Sequence, residues 1–164
     1  MAWPLKVSDY PNAVAQFDET ACWAASLEWW LAAMSPARSK VDQINLIQDF
    51  KAYWNSNVNS TEYGTVSEAN LKLLYATGTV RMSHRKFTGK MDIDFIKEKL
   101  VKGPVVIGYY EPSVNGNHVV VIHSVNAPDS PHGEINVMDP NRGRFRQRGS
   151  WRFIKREYLL FWAN

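Results

Sequence analysis

The hydrophobic period changes once along this chain, at Gly103-Pro104. Before that pair, apolar residues recur at helical spacing; after it, they alternate or run on as strands do. Cys22 to Ala33 is rich in Ala and Leu, lacks Gly and Pro, and has Pro36 just beyond it, which predicts a helix. It is apolar almost all round, as a central buried helix would be. Thr20 is the expected N-cap. A second helix is expected over Val41 to Trp54, with Ile44, Ile47 and Phe50 on one face. Asn55 to Thr61 reads as a loop. A third helix begins near Ser67, capped by Thr65 or Ser67, with Leu71, Leu74 and Tyr75 as its stripe up to Gly78. The segment Arg81 to Lys86 reads as loop or helix surface. A fourth helix covers Asp92 to Val101. Then come a strand at Val105 to Tyr110, a turn at Pro112 to Gly116, and a near-continuous apolar run from His118 to Val125, the mark of a buried strand. Pro128 to Gly133 is a turn and Glu134 to Met138 a short strand. Arg144, Arg146 and Arg148 alternate on one face of another strand. Trp151 to Phe161 closes the chain as a helical turn and a last strand. Helices followed by an antiparallel sheet define an α+β fold.

Composition narrows the chemistry. A chain of 164 residues fits one domain, here read as 1–164, and can bury a core without covalent staples. With 45% hydrophobic and 21% charged residues it is not a disordered chain. Its one cysteine excludes an internal disulfide, a multi-cysteine zinc site and CxxC redox chemistry. The four histidines include no i, i+4 pair, so no metal site and no cofactor is expected. The net charge of +3 permits an acidic partner without requiring a nucleic acid. The most apolar stretch, Ala21 to Met34, is 14 residues long and contains Glu28, where a membrane span needs roughly 20. The N-terminus carries no classical signal peptide.

The single cysteine, Cys22, opens the most apolar helix. A thiol at a helix N-terminus feels the positive end of the helix dipole, which favours the thiolate. Ordinary thiols have a pKa of ~8.5, and an adjacent imidazolium lowers it to about 4. Of His84, His118, His123 and His132, His118 is the preferred base: it starts the buried strand, where it can face a helix N-terminus. His123 is an odd number of residues further and faces away. Asp139, after the short strand that would pair with the His118 strand, is placed to orient the imidazole. Gln16, six residues before Cys22, could aim its amide at the same spot as the Cys22 backbone N–H and hold an oxyanion.

Gln16, Cys22-Trp23-Ala24-Ala25-Ser26, Asn117-His118-Val119-Val120-Val121 and Met138-Asp139-Pro140 together resemble a papain-like cysteine protease, most closely the bacterial AvrRpt2-type and C39-like branches. The resemblance covers roughly Gln16 to Pro140. It implies Cys22 as nucleophile, His118 as general base, Asp139 as the orienting group and Gln16 in the oxyanion hole. It also implies a protein substrate and a bacterial effector or toxin module. Such a module would be exported by a non-classical route or within a larger toxin, and would act in the cytoplasm of a target cell. A cognate immunity or inhibitor protein follows by analogy. One departure is Asp18-Glu19-Thr20-Ala21, where many relatives carry Ser, Asn and Gly; these carboxylates would raise the thiol pKa if they faced it, or else sit beside a basic substrate.

Each residue has a plainer reading. A lone Cys in an apolar helix is usually a small buried hydrophobe, His118 a strand-end histidine, and Asp139 an Asp-Pro turn starter. Gln16 alone carries almost no information. Trp23, Trp29 and Trp30 read as packing. The four-part order favours catalysis. The same site would also serve a glutamine deamidase or transglutaminase, and an inactive papain-like binding module is a further alternative. The arginine strand mimics an RNA-binding tract but fits a solvated face better.

Overall fold

A computed structural model describes residues 6–34, 41–78, 80–126, 134–149 and 156–164. Four helices, α1 (Cys22–Met34), α2 (Gln43–Asp49), α3 (Glu68–Ala76) and α4 (Ile93–Leu100), accompany six strands. The strands are β1 (Met82–Thr88), β2 (Val105–Glu111), β3 (Gly116–Val125), β4 (Ile135–Asp139), β5 (Arg144–Arg148) and β6 (Glu157–Ala163). They form one antiparallel sheet in the order β1-β6-β2-β3-β4-β5. The fold is α+β, as the change of period implies.

The sheet separates two apolar clusters. One holds α1 and α3 with Val106, Val119, Val121 and Phe161; the other holds α4 with Ile107, Val120, Ile122 and Leu160. Neighbours in sequence thus go to opposite clusters, so β2 and β3 are apolar on both faces and read as continuous runs. The indoles of Trp29 and Trp30 in α1 are buried, with their N–H groups donating to Pro11 and Pro104 carbonyls at 3.1 and 3.0 Å. Both indole N–H groups therefore have an acceptor inside the core.

Several expectations need correction. Thr20 does not cap α1: its N–H and hydroxyl both bond Asp18 Oδ1 at 2.8 Å, a local Asx turn. The first helical N–H groups, of Ala24 and Ala25, instead reach the Ala21 carbonyl. The second helix is shorter than Val41 to Trp54. It ends at Asp49 and gives way to a 3-10 turn at Lys51–Tyr53, and Leu46 rather than Ile44 is its buried residue. Ser67 does cap α3, and Asp92 caps α4. Arg81 to Lys86, expected as loop or helix surface, lies largely in β1. That strand is at the sheet edge and buries little beyond Met82, so its charges leave no apolar alternation to read. The turn at Pro128 to Gly133 lies outside the described residues, as does most of Trp151 to Arg156. Among the described residues, no helix is long and apolar enough to cross a membrane.

Candidate active site

Cys22 is the first residue of α1 and is 8% exposed. Two contacts fix α1, one to the strand that carries His118 and one to α3. Ser26, one turn beyond Cys22 and fully buried, donates its hydroxyl to the Val119 carbonyl at 3.1 Å. Tyr75 of α3 donates its hydroxyl to the Trp23 carbonyl at 2.9 Å. Burial pushes the Tyr75 phenol well up, with the nearby Cys22 sulfur adding to it.

His118 reaches its place through a tight reversal. Pro112–Val114 forms a 3-10 turn, closed by Asn115 in the left-handed region (φ 49°), and β3 begins at Gly116. Asn tolerates that region better than most residues. His118 Nε2 bonds Asp139 Oδ1 at 2.8 Å. This leaves Nδ1 as the ring nitrogen that can serve the neighbouring Cys22 side chain. Burial alone would lower the His118 pKa; the bond to Asp139 and the nearby Cys22 sulfur outweigh it and raise it to about 9. Burial likewise works against an ionised Asp139, yet His118, the Asn141 N–H (2.9 Å) and Arg146 (3.1 Å, on Oδ2) hold that carboxyl below the usual range. The structure thus brings Cys22, His118 and Asp139 together at one site, with His118 bonded to Asp139 and beside Cys22.

Gln16 lines the same cleft as Cys22 and His118. One N–H of its amide donates to the Asp18 carbonyl at 2.7 Å, and its Oε1 is buried without a partner among the described residues. The Gln16 backbone N–H donates to the Pro140 carbonyl at 2.9 Å, which joins the approach to α1 to the turn after Asp139. Gly143 permits this closeness. Its φ is +58°, and a Cβ there would meet the Ala15 nitrogen at 2.6 Å.

The cleft has a volume of about 1210 Å³. The loop that holds Glu62 and the turn before His118 line it in part, through Glu62 and through Ser113, Val114 and Asn117. Gly64 is tucked against Thr20, where a Cβ would meet Oγ1 at 2.3 Å, so the first loop sits beside the mouth.

His123 has no part in the site. Its ring packs between Tyr10, Trp29 and Phe145. Burial lowers its pKa to about 4, and its Nε2 has no partner among the described residues.

The arginine strand is not a solvated face. Only Arg144 and Phe145 at its start and Gln147 are well exposed; Arg146 bonds Asp139, and Arg148 is 4% exposed and paired with buried Glu111. Glu111 also accepts from Tyr109, whose ring stands edge-on to His118 at 6.1 Å. Burial opposes its charge, but Ser113, Arg148 and Tyr109 lower its pKa to about 2. Alternating charge in a sequence reads as solvent exposure, and buried ion pairs break that rule. The supporting roles of Arg146 and Arg148 had no local signal.

A helix-borne thiol facing a strand-borne imidazole and carboxylate, on an α+β scaffold, is the arrangement of the papain-like class. The family model described as papain-like cysteine protease AvrRpt2 matches residues 6–157, and this chain belongs to that family. Among solved structures, the peptidase domain of Streptococcus ComA, a bifunctional ABC transporter of a quorum-sensing pathway, is similar with a TM-score of 0.58 at 11% identity. The match covers 93% of this chain and 98% of that one. The Salmonella effector SpvD is similar with a TM-score of 0.50 at 10% identity, over 100% of this chain and 82% of that one. Identities this low speak to the fold alone. No curated protein sequence matches the chain.

Proposed function

We propose that this protein is a cysteine peptidase that cleaves a protein substrate through an acyl-thioenzyme. The observation that carries the reading is the buried set Cys22, His118 and Asp139, in which Asp139 bonds the imidazole at 2.8 Å and Cys22 and His118 line one cleft. His118, beside Cys22, is the base that takes the thiol proton and so makes the sulfur a nucleophile. The sulfur attacks the scissile carbonyl carbon, and the carbonyl electrons move onto oxygen. The Cys22 backbone N–H and the Gln16 amide stabilise that oxyanion. His118 gives its proton to the leaving amine, and the C–N bond breaks. Water then adds to the thioester while His118 takes its proton; the acid leaves and the sulfur is freed. Asp139 keeps the imidazole in one tautomer and supports its charge.

The setting belongs to the same proposal. The chain is a single peptidase domain of effector or toxin type, exported by a non-classical route or within a larger toxin. It acts in the cytoplasm of a target cell and is held in check by a cognate inhibitor protein. Likeness to an effector's fold and membership of the AvrRpt2 family support this reading.

The test uses the single cysteine. Iodoacetamide alkylation is followed by intact mass across pH, in the native protein and in His118→Ala. Fast labelling that persists well below the ordinary thiol value of ~8.5, and is lost in the variant, is the expected result. Labelling that rises only near that value and ignores His118 would sink the proposal. Incubation with candidate target proteins then separates peptide cleavage from glutamine deamidation or transglutamination by the mass change on the target.

A further inference from the structure

Gln43, the first residue of α2, lies 27 positions after Gln16 and outside the set described above. Its side-chain amide makes two hydrogen bonds to the backbone on either side of Gln16. Nε2 donates to the Ala15 carbonyl at 2.8 Å, and Oε1 accepts from the Phe17 N–H at 2.7 Å. One amide group bonding the carbonyl of one residue and the N–H two residues on is the pattern a neighbouring parallel strand makes. The Gln43 side chain thus stands in for a strand. Its own backbone is fixed too: its N–H donates to Glu28 Oε2 of α1 at 2.8 Å. The peptide unit joining Ala15 to Gln16 is held from both sides, its C=O by Gln43 and its N–H by the Pro140 carbonyl at 2.9 Å. Ala15 and Phe17 are exposed and bury no side chain that could anchor this segment.

We infer that Gln43 is a positioning residue for the oxyanion site, clamping the backbone around Gln16 so that the Gln16 amide stays aimed into the cleft beside Cys22. The inference rests on the role proposed above for Gln16. Reaction through an oxyanion needs that amide in place; displacement at a saturated carbon does not, because no oxyanion forms. Two probes of the same sulfur therefore separate positioning from general damage. p-Nitrophenyl acetate acetylates Cys22: the S–C bond forms, the carbonyl passes through an oxyanion, and p-nitrophenolate leaves. Iodoacetamide alkylates Cys22 and releases iodide.

Both rates are measured for the native protein and for Gln43→Ala, Gln43→Met, Gln16→Ala and the double variant Gln16→Ala/Gln43→Met. Gln43→Met keeps the length of the stem and a good helix former while removing both hydrogen bonds. Loss of an oxyanion donor costs roughly 10²–10³-fold, and a misplaced one up to about 10²-fold. Gln43→Ala and Gln43→Met are expected to slow acetylation by about 10- to 100-fold with the alkylation rate and its pH profile unmoved. The double variant is expected to be no slower than Gln16→Ala alone, since a clamp matters only while there is an amide to aim. Equal loss in both probes, no loss in either, or full additivity with Gln16→Ala would overturn the inference. If Gln16→Ala itself leaves acetylation unchanged, the oxyanion role of Gln16 fails instead. That outcome is read from Gln16→Ala alone, whatever the Gln43 variants do.

Discussion

Asp139 is 2% exposed and accepts three hydrogen bonds: from His118 (2.8 Å) and the Asn141 N–H (2.9 Å) on Oδ1, and from Arg146 (3.1 Å) on Oδ2. Replacing it with Ala strands all three donors, one a guanidinium and one an imidazolium. Leaving buried charge unpaired costs about 3–5 kcal/mol. Asp139→Asn is a finer perturbation. Its one oxygen can still serve His118 and Asn141, but its NH2 takes the place of Oδ2 and meets Arg146 donor to donor. The Arg146 side chain is 26% exposed, so water offsets part of that conflict and its share is about 1 kcal/mol. Exchanging a charged for a neutral acceptor on His118 adds about 1–2 kcal/mol. The expected sum is about 2–3 kcal/mol, and adding Arg146→Met should restore about 1 kcal/mol by removing the stranded guanidinium. Urea unfolding followed by Trp fluorescence at neutral pH gives these differences. A double variant less stable than Asp139→Asn, or an Asn variant as unstable as Ala, would refute the partition of the two oxygens. The sign with pH is also fixed. The Asp139 carboxyl is held below its ordinary value, so its stabilisation is present above ~3.9 and is lost as pH falls through its folded value. The defect of Asp139→Asn should therefore shrink in acid.

The buried Glu111–Arg148 pair gives an asymmetric prediction. Arg148→Met leaves Glu111 with Ser113 N–H, Ser113 Oγ and Tyr109 OH as donors, so its cost should fall at the low end, about 3 kcal/mol. Glu111→Leu strands the guanidinium and should cost nearer 5 kcal/mol, while the double replacement should recover most of the loss in the same unfolding assay. Gly143→Ala forces an L side chain to φ +58° and a Cβ against the Ala15 backbone. It should cost about 2 kcal/mol and slow acetylation of Cys22 more than its alkylation, because the clash falls on the Gln16 segment.

The elements that place Cys22 and His118 were legible because burial wrote them into the composition. The helix at Cys22 is Ala- and Leu-rich with a Pro beyond it, and the run from His118 is apolar on both faces because two cores flank it. The site itself was legible only as an ordered set; no one residue would have carried it. What stayed hidden was long-range or at an edge. β1 exposes its charges and shows no alternation. Gln43 and Arg148 act across 26 or more residues of chain, and nothing in their neighbourhood marks them. Of the face expected for α2, Ile47 and Phe50 pack against the core, whereas Ile44 is 40% exposed and Leu46, two places on, is buried in its stead.

β3 carries two imidazoles five residues apart with opposite thermodynamic signs. His118 is held protonated by its partners, so its contribution is full below ~6.5, the ordinary imidazole value, and fades as pH rises through about 9. His123 is held neutral by burial, so its contribution is full above ~6.5 and fades as pH falls toward about 4. Each shift corresponds to roughly 3 kcal/mol at the far end of its range. One strand thus pulls stability down in both directions from pH ~6.5, with the Asp139 carboxylate adding to the loss in acid. His123→Leu should lessen the loss in acid and His118→Gln the loss in base, as urea midpoints across pH would show. Two rings of a single ten-residue strand therefore set opposite pH dependences within one sheet.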